Sequence, residues 1–270
     1  MLIDGKDSDQ IAADDRGLLY GDGLFETLAV HSGEPQLWTQ HMARLARGCV
    51  RLGIEPPSVD LLQAEARALC AGSARAVLKI IVTRGSGGRG YRPPAPALPR
   101  RILSLHPWPD HPAHWPQQGV NVRLCDTPLG ANPRLAGLKH LNRLEQVLAR
   151  AEWDDPDIAE GLMLDAAGGL VEGTMSNLFL VQGGRLRTPA LEQCGVAGVM
   201  RGHVLALAEQ GGIACEVTAL GLADLRSADE LFVCNSVIGI WPVRRVQGME
   251  FMPGSVTRRL QQAIGDAVDA

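Results

Sequence analysis

The sequence predicts an α/β protein of the α+β kind, built as two units of mixed sheet and helix. Three observations point there. Apolar, β-branched runs and stretches of helical period are interspersed along 270 residues without a strict strand–helix–strand alternation. Pro107, Pro109, Pro112 and Pro116 crowd one segment and disfavour regular structure in it. Apolar residues make up 46% of the chain against 21% charged, enough to build a sizeable core. The expected division is a small N-terminal α/β domain over residues 1–113, a linker over 114–119, and a larger C-terminal domain over 120–270.

In chain order, Leu24 to Val30 reads as a strand. Thr39 to Gly53 reads as a helix capped by Thr39, with Met42, Leu45, Cys49 and Leu52 at helical spacing. A second helix runs from Val59 to Ala71 and stops at Gly72. The apolar run Ala76 to Thr83 ends in a Gly-rich loop, Arg84 to Gly90, and Ile102 to Leu105 is a short strand. Beyond the prolines, Val120 to Leu124 is a strand. Leu138 to Trp153 is a strong helix with Leu138, Leu141, Leu144 and Leu148 on one stripe. Short strands follow at 162–164, 177–181 and 231–234, with helices at Met200–Gln210 and Val256–Val268.

Composition narrows the function classes. No stretch approaches the ~18 consecutive apolar residues of a membrane span. A net charge of −4 gives no bulk attraction to nucleic acid or anionic lipid. Asp4, Lys6, Asp7 and Asp9 are unlike a signal peptide, and six scattered cysteines read as reduced thiols, so the expected compartment is cytoplasmic. His111 and His114 alone do not supply zinc-ligand spacing.

Local chemistry leaves several readings open. The glycines at 85–90, flanked by Arg84 and Arg89, can cradle an anion through backbone N–H groups, or form a plain surface loop. The chain holds three lysines, Lys6, Lys79 and Lys139, against twenty-three arginines. On periodicity alone Lys139 is a solvated helix lysine. Glu172 is a turn carboxylate before a strand, and His41 and Arg44 share a helix face that can be simply solvated.

Taken together, seven segments in order carry a resemblance: Arg16–Thr27, His41–Leu45, Lys79–Tyr91, Leu135–Gln146, Glu172–Asn177, Gly198–Arg201 and Asp229–Ser236. They resemble the fold-type IV pyridoxal-phosphate enzymes, the group of branched-chain and D-amino-acid aminotransferases, over almost the whole chain. The run Gly-Leu-Lys-His-Leu-Asn-Arg at 137–143 and the loop at 84–91 are more similar to the lyase branch of that group.

The resemblance implies a two-domain fold with pyridoxal 5′-phosphate at the domain interface, and commonly a homodimer. It implies elimination of pyruvate from the small molecule aminodeoxychorismate, leaving p-aminobenzoate for folate biosynthesis. The alternative is transamination of branched-chain or D-amino acids. Lys139 would form the Schiff base and then move the proton, because only an amine forms an exchangeable imine with the cofactor aldehyde. Glu172 would hold the protonated ring nitrogen and keep the ring an electron sink. Arg44, the N–H groups of Val199 and Met200, and the Ser236 hydroxyl would bind the phosphate. Val196 would lie against the ring and Asn177 on the phosphate side. Arg84 and Arg89 would bind the substrate carboxylates. Thr174 and Ser176 match the aminotransferase pattern better than the lyase one, which leaves a side transamination open.

Overall fold

Two runs with alternate side chains buried, Gly23–His31 and Arg75–Thr83, pair antiparallel along their whole length, from Gly23 opposite Thr83 to His31 opposite Arg75. Strands that bury one face against helices and pair on both edges account for that alternation. The pair is the centre of the first of two units that a computed structural model describes over residues 1–268.

The first unit comprises Met1–Pro109 and Leu138–Asn142. Its elements are β1 (Leu2–Ile3), β2 (Lys6–Asp7), α1 (Arg16–Tyr20), β3 (Gly23–His31), β4 (Glu34–Pro35), α2 (Trp38–Leu52), α3 (Val59–Cys70), β5 (Arg75–Thr83) and β6 (Arg100–Pro107). The strands form one sheet in the order β2-β1-β6-β5-β3-β4. Helix α2 turns His41, Met42, Arg44, Leu45 and Cys49 inward and packs on β3.

The second unit comprises Asp110–Gly137 and the residues from Arg143 onward. It holds α4 (Trp115–Gln118), β7 (Val120–Leu124), α5 (Leu144–Arg150), β8 (Ile158–Leu164), β9 (Gly169–Gly173), β10 (Asn177–Gln182) and β11 (Arg185–Pro189). These are followed by α6 (Val199–Gln210), β12 (Cys215–Thr218), β13 (Leu220–Gly221), α7 (Leu222–Arg226), β14 (Glu230–Asn235), β15 (Gly239–Val246), β16 (Met249–Glu250) and α8 (Ser255–Val268). Its ten-stranded mixed sheet runs β12-β11-β10-β14-β15-β7-β8-β9-β13, with β16 beside β15. Leu162, Leu178, Val233, Trp241 and Val243 are among the fully buried side chains of its main core. No described helix is long and apolar enough to cross a membrane.

The structure corrects the sequence reading at informative places. The helix expected over Leu138–Trp153 exists only as α5. Residues 138–142 are extended beside β3: the Phe25 N–H donates to the Lys139 carbonyl at 2.9 Å, the Leu141 N–H donates to the Gly23 carbonyl at 3.0 Å, and Leu24 bridges His140. Those hydrogen bonds replace the helical ones, and the leucine stripe is not a core face, since Leu144 and Leu148 are exposed. Helix α2 starts one residue before Thr39, behind a left-handed Leu37 with no side-chain cap. The segment expected as a linker contains α4, whose Trp115 meets the Trp241 ring edge-on at 4.8 Å. Strand β15 escaped the sequence reading because Pro242 sits inside it, β9 because glycine stands at both its ends, and β11 because two of its five residues are arginine and its last is proline.

Candidate active site

In the first unit, the extended segment at 138–142 carries Lys139 along the edge of β3 and sets its ammonium 4.4 Å from the centre of the Phe25 ring. The next residue of β3, Glu26, is buried, with 1% of its surface exposed. Glu26 accepts from Arg44 Nε at 2.8 Å and again from Arg44 Nη2, and it meets His41 Nδ1 at 2.6 Å. Residues three apart on α2 therefore converge on one carboxylate. Burial alone would push the Glu26 carboxyl up, but the Arg44 and His41 hydrogen bonds and charges hold it below the usual range. Burial, helped by the positive charges of Arg44 and Lys139, pushes the His41 imidazole down despite the pull of Glu26. A neutral His41 donates through Nδ1 to Glu26, and its buried Nε2 has no hydrogen-bond partner.

In the second unit, Glu172 lies near the end of β9, and its Oε2 accepts the Val196 N–H at 2.7 Å. Asn177, the first residue of β10, donates from Nδ2 to the Val196 carbonyl at 2.9 Å. One residue is thus gripped at both backbone groups by two predicted site residues. Val199 and Met200 open α6 behind Gly198, which offers no side-chain cap to the first N–H groups. A Cβ on Gly198 would collide with Asn177 Oδ1. Ser236 lies half-buried in the turn between β14 and β15.

The turn between β9 and β10 is built around Glu160 of β8, a residue that no local pattern marks. This buried carboxylate accepts from the N–H groups of Gly161, Thr174 and Met175 and from the hydroxyls of Thr174 and Ser176. Arg143, the last residue of the 137–143 run, stands just before α5. Burial pushes its guanidinium down, opposed by the charges of Glu172 and Glu145.

The two loop arginines separate. Arg84 is buried and donates from Nε and Nη2 to Asp22, and from Nη1 and Nη2 to the carbonyls of Gly53 and Leu52. Arg89 is exposed at the loop tip.

Taken unit by unit, these groups suit parts of pyridoxal phosphate. The first unit offers an amine beside an aromatic ring and a buried guanidinium. The second offers a buried carboxylate, and a helix N-terminus that has a glycine where a capping side chain usually sits. A dianionic phosphate matches such a terminus, because its first N–H groups lack intrahelical acceptors and carry the positive end of the helix dipole.

Comparison with known proteins agrees with the geometry. Residues 23–246 match the family described as amino-transferase class IV. The chain is 37% identical over 263 residues to the aminodeoxychorismate lyase of Vibrio harveyi, covering 96% of this chain and 97% of that one. The crystal structure of 4-amino-4-deoxychorismate lyase from Pseudomonas aeruginosa superposes with a TM-score of 0.96 at 52% identity, covering 100% of this chain and 99% of that one. The branched-chain amino acid aminotransferase of Escherichia coli superposes at 0.87 with 26% identity, covering 98% and 92%.

Proposed function

The chain belongs to the amino-transferase class IV family, and from that premise we propose that it eliminates pyruvate from 4-amino-4-deoxychorismate to give p-aminobenzoate. The observation that carries this reading is the near-complete match, in sequence and in fold, to two lyases with that substrate in their names. It is a pyridoxal-phosphate enzyme of folate biosynthesis. When bound, the cofactor supplies an aldehyde that links to an amine and a ring that takes up the electron pair released when a carbon loses its proton.

The resemblance to the family implies the residue roles, and the chemistry of each group suits the role it is given. Lys139 Nζ is the amine, and it then accepts the proton from the substrate carbon bearing the amino group. Glu172 holds a proton on the ring nitrogen. Its second task, accepting the Val196 N–H, fixes that residue and keeps the carboxylate from rotating. Val196 would lie against the cofactor ring, and Asn177, which donates to the Val196 carbonyl, would hold it in place on the phosphate side. Arg44, the N–H groups of Val199 and Met200, and the Ser236 hydroxyl bind the phosphate. In the elimination the carbon–oxygen bond to the enolpyruvyl group breaks, pyruvate leaves as its enol, and the substrate ring becomes aromatic. No electrons are gained or lost overall, so the enzyme has to place a proton acceptor and bind charge.

The substrate carries two carboxylates, and exposed Arg89 is the residue suited to bind one. Arg84 supports the loop from beneath through Asp22. The protein works in the cytoplasm as a homodimer. Leu144, Val147 and Leu148, exposed along α5, support the second point, and a solution mass of about twice 28.9 kDa would bear it out.

A coupled assay tests the reading. Holoenzyme given aminodeoxychorismate should release pyruvate and p-aminobenzoate in equal amounts, and Lys139→Ala should release neither. Rapid, multiple-turnover amino transfer from a branched-chain or D-amino acid to 2-oxoglutarate, with no pyruvate release from aminodeoxychorismate, would overturn it.

A further inference from the structure

The Gly-rich loop is tied down at both ends by one buried ion cluster. Asp22 accepts from Arg16 Nε at 2.8 Å and from Arg84 Nε and Nη2 at 2.7 and 3.0 Å. Arg84 begins the loop. Arg16, with 3% of its surface exposed, reaches across to its far end. There Nη1 donates to the Gly90 carbonyl and Nη2 to the Tyr91 carbonyl, each at 3.0 Å. The Arg16 N–H donates to the Gly85 carbonyl at 3.0 Å. Arg16 also lies over the Tyr20 ring, which meets Tyr91 edge-on.

Four of the six residues from Gly85 to Gly90 are glycine. Left alone, such a loop would sample many backbone states, and an anion binding at its tip would have to freeze them. One planar guanidinium holding two successive carbonyls removes that freedom directly after Arg89.

We propose that Arg16 is a positioning residue for substrate: by gripping the Gly90 and Tyr91 carbonyls it presents Arg89 to a carboxylate of the substrate dianion. The proposal rests on the reading that Arg89 binds such a carboxylate. Lysine cannot replace Arg16, because a single ammonium on a flexible stem cannot hold Asp22 and two carbonyls in one plane.

The test measures chorismate binding to the holoenzyme by calorimetry, because chorismate is a dianion of the same shape without the amine. Arg16→Lys and Arg89→Ala should each weaken binding about tenfold, and Arg16→Lys in the Arg89→Ala background should add less than about twofold, as expected of residues acting through one contact. Pyridoxal-phosphate affinity should be unchanged in Arg16→Lys, which a general loss of structure would not allow. Gly90→Ala provides a second probe that spares the buried cluster. Its added Cβ meets nothing within 4 Å, and only the φ of +89° at the gripped residue is strained. It should weaken binding in the same direction. Full additivity with Arg89→Ala, unaltered binding in both Arg16→Lys and Gly90→Ala, or no chorismate binding by the unsubstituted protein would each overturn the proposal. Wild-type-like binding that responds as expected, without pyruvate release from aminodeoxychorismate, would sink the proposed reaction and leave the clamp standing.

Discussion

Glu26 collects Arg44 and His41 in a buried cluster whose charge state depends on pH in a defined direction. The Glu26 carboxyl lies below its ordinary 4.5, so its contribution to stability is complete above that value and is lost as pH falls through the lower folded value. The His41 imidazole lies below its ordinary 6.5, so the unfolded chain takes up that proton first and stability starts to fall as pH drops under 6.5. Burial pushes His111 and His203 down as well, and they add to the same slope. His41→Gln should therefore flatten part of the fall in Tm between about pH 5 and 6.5 while leaving the slope at lower pH in place. An identical profile in the variant would show that His41 titrates normally. Arg44 was legible as a site residue only through its motif. Its partner was not, because Glu26 is far away in sequence and only the packing of α2 on β3 joins them. Periodicity misplaced Lys139 in a helix for a related reason: β3 offers its backbone groups to residues 138–142, a tertiary contact that no local pattern encodes.

Helix α6 and the β9–β10 turn show how elements aim the site. The turn has no regular ladder to hold it, and five donors converge instead on Glu160. A buried carboxylate satisfied this fully resists displacement, which steadies Glu172 on one side of the turn and Asn177 on the other. At the start of α6, glycine is required for space and not for φ, which is −61°. Gly198→Ala should push Asn177 away and weaken pyridoxal-phosphate binding about tenfold or more, read by fluorescence titration of the apoenzyme, while pyridoxal without phosphate should bind nearly as before. Equal losses for both ligands would show that the helix start does not bind phosphate. Strands were legible where apolar residues run on, as at β5, or alternate with polar ones, as at β7. Glu160 was not, since a lone glutamate in a strand gives no sign of the turn it will gather.

At the scale of the molecule, the fold class was readable from interspersed strands and helices. The crossing of residues 138–142 into the first unit was not, because unit membership depends on which backbone pairs with which. Three lysines in 270 residues make the central chemical claim unusually easy to test. Lys6 lies in the short strand β2 and Lys79 in β5, opposite Thr27. Only Lys139 sits on the extended segment at the edge of β3. The most direct measurement is borohydride reduction of the holoenzyme followed by peptide mass spectrometry. A pyridoxyl group on the peptide containing Lys139, and absent from those containing Lys6 and Lys79, is the expected result. The same group on either of the other two lysines, or on none, would contradict the account.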